Sequence, residues 1–315
     1  MSVPVVDLVA AERGEGLEAL DAACRDHGFF LLSNHGMTAA IEEMWRTSAA
    51  FFSLPAEAKR SVLRSEEVPL GYYDRELTKR RRDLKEVFDY MKPREDRSDM
   101  NQWPAEPPGF RESVLAFFDA ATVVADRTLA VVYRALVNDV DTSALPFGSD
   151  RTSTVRLNYY PVDDPLSPEE QGTVAELGDM ALHHHTDPGV ITLLLQDMVG
   201  GLQTLSKAHG WIDVPPAEDT IVVNLGDAMQ VWTNDAYVAA VHRVLPRPAG
   251  QARYSTPYFM NPAANATLEP LSALLEGAAP RYRAFTWREY IQGRVDDNYA
   301  DLGEDDIQIE RFRVA

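Results

Sequence analysis

The second half of the chain constrains the fold most. From about residue 151 onward, short β-rich runs succeed one another: TVRLNYY, VITLLLQ, GLQTLS, GWIDV, TIVVNLG, MQVWT, AAVHRVL and RYSTPYF. Between them lie the turn-forming pairs Gly200-Gly201, His209-Gly210, Gly226-Asp227 and Asn234-Asp235. Branched and aromatic residues favour extended backbone, and glycine and asparagine tolerate the positive φ of tight reversals. Short strands spaced by roughly 8–12 residues predict an antiparallel sandwich or barrel.

The first half reads differently. Val3–Leu8 is expected as a short strand, Leu17–Arg25 as a helix, and Phe29–Leu32 as a buried strand ended by the turn Ser33-Asn34-His35-Gly36. Thr38 is a candidate N-cap for a helix carrying Ile41, Met44, Trp45, Phe51 and Phe52. Glu86–Met91 is expected as a strand, and Arg111–Leu136 and Trp287–Val295 as helices. No repeat, low-complexity linker or composition break divides the 315 residues. The expectation is therefore one domain over 1–315, mainly β with flanking helices. It would comprise an N-terminal region of strands and helices (1–110), a β core at about 151–262, and a C-terminal helix and tail. The tail DLGEDDIQIERFRVA is expected either to cover the site mouth as a lid or to pack beside the helices.

Charge narrows the partners. With 49 acidic against 30 basic residues the net charge is −19, which repels phosphate backbones and anionic lipid. The basic run Lys79-Arg80-Arg81-Arg82 is followed by acids and lacks interleaved aromatics, so it reads as a solvated edge. No uncharged apolar stretch reaches the roughly 18 residues that a membrane span needs. The N-terminus lacks the basic head and apolar run of a secretion signal, and the lone Cys24 fits a reducing compartment. The expectations are a cytoplasmic location, a small-molecule substrate, no nucleic-acid or membrane partner, and a monomer.

The chemistry centres on 181-ALHHHTDPGVITLL-194. In an extended segment residues two apart project to the same side, so His185 and Asp187 can converge on one ion. His183 and His185 share that spacing, and the run alone leaves the choice open. His27, His35 and His209 adjoin glycines and read as turn residues, whereas His242 lies inside the apolar run AAVHRVL. Two histidines and one carboxylate form a facial triad that leaves three metal positions open. That set suits Fe(II) handling O2, whereas zinc sites more often use cysteine or three histidines. Eleven residues beyond His242, Arg253 and Ser255 share a strand face as a clamp for a carboxylate. Arg156, Asn158 and Tyr160 align on another strand, as a cavity wall would.

On these residues the sequence resembles the 2-oxoglutarate- and Fe(II)-dependent dioxygenases of the isopenicillin N synthase-like family. The resemblance runs over nearly the whole chain: VPVVDL, ACRDHGFFLLSNHGM, FFSLPAEAK, GYY, DLKEVFDY, RLNYYP, HTDPGVITLLLQD, GGLQ, VNLGDAMQVWTND, HRV and RYS follow in the family's order. It implies a double-stranded β-helix (jelly-roll) core, with Fe(II) on His185, Asp187 and His242. It further implies 2-oxoglutarate held at its distal carboxylate by Arg253 and Ser255, with Tyr160 and Asn158 assisting and His184 pointing away in a structural role. The implied reaction is O2-dependent hydroxylation, desaturation or cyclisation of a small metabolite in a biosynthetic pathway, releasing succinate and CO2 with no separate acid or base. Asp187 argues against halogenation, because related halogenases carry a small residue there. Two alternatives stand beside this. One is an Fe(II) oxidase of the isopenicillin N synthase or aminocyclopropane-carboxylate oxidase type, which uses no 2-oxoglutarate; the other is a catalytically silent metal- or ligand-binding sandwich. The substrate pocket is expected from Tyr72, Phe88, Met229 and Phe259 with Arg156 and His183. Lys85 or Arg156 is expected either to pair a substrate carboxylate or to be bound in a structural salt bridge.

Overall fold

The strand β1 (Val5–Asp7) runs directly into α1 (Leu8–Glu12), because the Asp7 carboxylate accepts the Ala10 amide at 3.0 Å and caps the helix. The expected strand over Val3–Leu8 is shortened accordingly. In this computed structural model the described residues are 3–65, 67–78, 81–94, 99–139, 142–148, 151–178, 180–246, 250–275, 277–295 and 308–314. Helix α2 (Leu17–Asp26) and strand β2 (Phe29–Ser33) follow, joined by a turn in which His27 Nδ1 accepts the Phe29 amide at 3.1 Å. Gly28 sits there at φ +67°, and a Cβ on it would fall 2.5 Å from the Val238 carbonyl oxygen. Helix α3 (Thr38–Phe52) begins where expected, but Met37 occupies the cap position and no side chain caps it.

Helix α4 (Ala56–Arg60) leads to β3 (Gly71–Tyr73), β4 (Leu77–Thr78), β5 (Arg81–Arg82) and β6 (Glu86–Met91). In the basic run, Lys79 and Arg80 lie outside the described residues, and Arg81 pairs with Glu176 at 2.7 Å. Arg82 corrects the expectation of a solvated edge: it is buried and ion-paired with Asp164, and its backbone donates to the Glu176 carbonyl and accepts from the Gly178 amide. The long helix α5 (Phe110–Val137) turns Val114, Phe117, Phe118, Val124, Leu129 and Val132 inward, a 3.6-residue stripe that sets it against the sheet.

Beyond α5 come β7 (Thr154–Tyr160), α6 (Pro168–Gln171), β8 (Leu182–His185), β9 (Ile191–Gln196), β10 (Leu202–Ser206), β11 (Gly210–Asp213) and β12 (Ile221–Leu225). Then follow α7 (Asp227–Trp232), β13 (His242–Val244), β14 (Arg253–Met260), β15 (Thr267–Leu268), β16 (Phe285–Thr286) and α8 (Trp287–Val295). MQVWT, expected as a strand, is the body of α7. Ala228, Met229, Val231 and Trp232 are all buried, so no alternation distinguishes helix from strand in so short an apolar run.

An eight-stranded sheet has the order β1-β2-β12-β9-β14-β7-β6-β3, and a four-stranded sheet the order β11-β10-β13-β8. All neighbours are antiparallel except β1 and β2. Phe29, Leu31, Tyr160 and Val222 of the large sheet share a core with Leu202, Ile212 and Val244 of the small one. The result is a jelly-roll core with flanking helices, and the helices cover the outer face of the large sheet. The described part of the tail packs beside α8, Phe312 stacking on Phe285 with ring centroids 3.8 Å apart. Residues 301–307 of the tail lie outside the described residues. No helix among the described residues is long and apolar enough to cross a membrane.

Candidate metal centre and its cavity

Strands β8 and β13 pair so that His185 stands opposite His242, their rings 4.2 Å apart between centroids. Asp187 lies just past β8, in a loop that the Asp227 amide ties down through a 2.8 Å bond to the Asp187 carbonyl. Gly226 allows this approach: a Cβ there would stand 2.2 Å from the Gly189 carbonyl oxygen and 2.8 Å from that of Asp187. One ligand atom from each of His185, Asp187 and His242 lies within 4.8 Å of the others.

The remaining polar atoms of these side chains are turned away from the cluster. His185 Nδ1 donates to the His183 carbonyl and His242 Nδ1 to the Ala240 carbonyl, each at 2.9 Å. A carbonyl can only accept, so both rings carry their proton on Nδ1 and present the Nε2 lone pair. Asp187 Oδ2 accepts from Thr192 Oγ1 at 2.6 Å and Asn224 Nδ2 at 2.8 Å. Asp187 Oδ1 faces both Nε2 atoms at 3.8 Å, too far for a hydrogen bond and suited to an ion between them. Burial raises the Asp187 proton affinity, but His242, His185 and the Thr192 and Asn224 donors outweigh it and hold the carboxyl below its ordinary range. Burial and the neighbouring His242 push His185 below the usual imidazole range, which keeps it neutral. Two imidazoles that turn Nε2 inward and one ionised carboxylate on one face are the donor set that a divalent metal with open positions takes.

Around the cluster is a cavity of about 180 Å³. At one end Arg253, 1% exposed, donates from Nε to the Gly200 carbonyl at 3.0 Å and from a terminal nitrogen to Ser255 Oγ at 3.2 Å. Its guanidinium lies 5.1 Å from the Tyr160 ring centroid, and Asn158 lines the same wall. This follows from register: β14 pairs with β7 so that Arg253 meets Tyr160 and Ser255 meets Asn158. Alternation carries that face onward, through Pro257 and Arg156 to Phe259. Glu76, Arg156 and Phe259 are shared with a second cavity of about 500 Å³, whose walls include Leu70, Met91, Met100, Trp287 and Ile291.

Four residues expected in the pocket, Tyr72, Phe88, Met229 and His183, do not line the metal cavity. Tyr72 and Phe88 are buried against Phe51 beneath the helices, and Met229 is packed in the core on α7. The reason for Phe88 is parity: on β6 the residues that reach the second cavity are Asp89 and Met91, one step out of phase with it. His183 packs on Gly178, where an added Cβ would meet its ring at 2.9 Å, and is not among the cavity-lining residues. Two steps of β13 (His242 to Val244) span three of β8 (His185 to Leu182), a bulge that breaks the alternation linking His183 to His185. His184 is exposed, edge-on to Trp211. Lys85 and Arg156 line the cavity but belong to an ion-pair network. Lys85 holds Glu76 and Asp83 at 2.9 Å, and Arg156 holds Asp89 at 2.7 Å and Glu76 at 2.9 Å. Thr192, Asn224, Glu76 and Arg294 were not foreseen. Asn224 alone carried a sequence signal, as the one polar residue in the apolar run IVVNL.

Comparison with known proteins places this geometry. The profile of the 2OG-Fe(II) oxygenase superfamily matches residues 151–262, and that of the N-terminal region of the non-haem dioxygenases in morphine synthesis matches residues 3–106. Gibberellin 2-beta-dioxygenase 4 of Arabidopsis thaliana is 31% identical over 315 residues, covering 95% of this chain and 94% of the relative. The chain belongs to the 2OG-Fe(II) oxygenase superfamily. A full-length Neurospora crassa protein crystallised in complex with alpha-KG superposes on this oxygenase with TM-score 0.76 at 29% identity, covering 92% of this chain and 94% of that one. JOX2 in complex with 2OG, Fe and JA gives TM-score 0.77 at 29% identity, covering 93% and 84%. The oxygenase is thus a non-haem dioxygenase with Fe(II) and 2-oxoglutarate as its cofactor and co-substrate, and its relatives act on small molecules.

Proposed function

We propose that the protein oxidises a small organic metabolite in a biosynthetic pathway, by hydroxylation, desaturation or ring formation. In this reading Fe(II) is held by His185 Nε2, His242 Nε2 and Asp187 Oδ1, and the distal carboxylate of 2-oxoglutarate by Arg253 and Ser255. The observation that carries it is the convergence of those three ligand atoms while every other polar atom of the three side chains is hydrogen-bonded elsewhere. When bound, iron and 2-oxoglutarate supply the oxidising power, O2 being consumed and succinate and CO2 released.

The chain's residues supply position and exclusion. The His183 and Ala240 carbonyls fix the imidazole tautomers, and Thr192 and Asn224 fix which carboxylate oxygen is offered. Leu182, Leu194, Leu202 and Val244 wall the inner cavity with apolar surface that keeps bulk water out. The larger cavity, joined to the inner one at Phe259, takes the organic substrate beside the metal. Anaerobic titration of the metal-free protein with Fe(II) and then 2-oxoglutarate tests this. A saturable visible charge-transfer band is expected in the wild type and is lost in Asp187→Ala. Stoichiometric iron binding without the band would assign Arg253 and Ser255 to a substrate carboxylate and overturn the role given to 2-oxoglutarate.

A further inference from the structure

Four cationic side chains line the inner cavity: Lys85, Arg156, Arg253 and Arg294. Carboxylates at 2.9 Å or closer answer the first two. Among the described residues, neither Arg253 nor Arg294 has a carboxylate within ion-pair distance. The proposed function gives Arg253 a counter-charge in 2-oxoglutarate. It gives Arg294 none. Arg294 projects from α8, is 8% exposed, and among the described residues its guanidinium gives one hydrogen bond, to the Thr186 carbonyl at 2.7 Å. The nearby carboxylate of Asp227 is engaged instead by the Tyr290 hydroxyl at 2.6 Å and Thr186 Oγ1 at 3.2 Å. Asp227 acts on Arg294 only from beyond ion-pair distance, so among the described residues no carboxylate directly pairs this buried guanidinium, and its unused donors form a planar fork matched to two oxygens of one group.

We propose that Arg294 receives a carboxylate of the organic substrate, so that this oxygenase selects small organic acids. The proposal rests on the iron and 2-oxoglutarate reading above. A single cation without a second unpaired one beside it matches a singly charged carboxylate better than a doubly charged phosphate ester. The inner cavity, about 180 Å³, must also hold the co-substrate, so the acid's body extends past Phe259 into the larger space walled by Met91, Met100, Trp287 and Ile291. Arg294 approaches from α8, whereas Arg253 stands on β14, so two anions can be held at separate stations of one cavity.

The test uses the protein loaded anaerobically with Fe(II) and 2-oxoglutarate. The probes are benzoate, phenylacetate, 3-phenylpropionate and octanoate, each against its methyl ester, read as perturbation of the charge-transfer band. At least one acid is expected to saturate while its ester does not. Arg294→Met should weaken that acid at least tenfold and Arg294→Lys less, with the 2-oxoglutarate titration itself unmoved in both. Equal binding of acid and ester, no acid binding at all, or an acid affinity indifferent to Arg294→Met would each overturn the proposal. A loss of 2-oxoglutarate affinity in the variants would also overturn it, by giving the guanidinium to the co-substrate. Should Arg294→Met not fold, the wild-type contrast of acid and ester and the Lys variant still decide. Absence of the charge-transfer band in the wild type would sink the underlying reading instead, which is a separate observation.

Discussion

Asp187 can offer a single oxygen to a metal because Thr192 and Asn224 occupy the other. Thr192→Val keeps the volume and removes the hydroxyl, and loss of such an outer partner typically costs about 10–100-fold in metal affinity. Fe(II) titration of this variant should show that loss with the fold retained, and an unchanged affinity would show the hydroxyl to be idle. Arg253→Ala acts on a different ligand. Charge-assisted hydrogen bonds contribute roughly 1.5–3 kcal/mol each, so 2-oxoglutarate affinity should fall roughly 10–100-fold while iron binding holds. At this scale the sequence was partly legible. His-x-Asp spacing singled out a pair, and an in-strand histidine supplied a third group. Thr192 was invisible because a threonine in ITLLLQ looks like any β-branched strand residue, and Arg294 because WREYIQGRV offers other charged residues with no sign of which one faces inward.

Among the elements, β7 and β14 build most of the wall. Their alternation, Arg-x-Asn-x-Tyr against Arg-x-Ser, was readable without a structure, since a period of two places those groups on one face. Tyr72 and Phe88 misled because aromatic character says nothing about which face of β3 and β6 meets the cavity. A less visible junction lies after α7. Asp235 accepts from Gln230 at 2.9 Å, Arg313 at 2.8 Å and Arg281 at 3.0 Å, and from Tyr282 Oη at 2.5 Å. It joins α7 to the tail. Burial raises the Asp235 proton affinity, but the Arg313, Tyr282, Arg281 and Gln230 donors together hold the carboxyl well below its ordinary range. A depressed folded pKa gives stability that is present above the unfolded value, about 3.9, and fades as pH falls through the folded one. Asp235→Asn should therefore lower the melting temperature by a few degrees at neutral pH, about 1 kcal/mol given that Arg281 and Arg313 are exposed. The gap between variant and wild type should narrow below about pH 4. A gap that stayed constant from pH 7 to pH 3 would show that charge is not what Asp235 contributes.

Across the whole molecule, the site spans both sheets. His185 and His242 stand on the four-stranded sheet, and Tyr160, Asn158, Arg253 and Ser255 on the eight-stranded one. Turn spacing made a sandwich legible, and the helical stripe of α5 made its cover legible. The joining of β1 and β2 to β12 was not, because pairing partners far apart in sequence leave no local trace. Ligands that bridge the sheets bind the folded chain and not the unfolded one, so they must raise its stability by mass action. At a hundredfold excess over its dissociation constant a ligand adds about 2.7 kcal/mol. Melting should therefore rise in two steps, first with Fe(II) and again with 2-oxoglutarate under anaerobic conditions, and chelation should reverse both. In Arg253→Ala the first step should persist and the second should shrink at the same 2-oxoglutarate concentration, because the proposed function gives the metal to one sheet and the distal carboxylate to the other. If both steps vanished together in that variant, the two stations would be one cooperative unit, and the separation of roles between the sheets would be wrong.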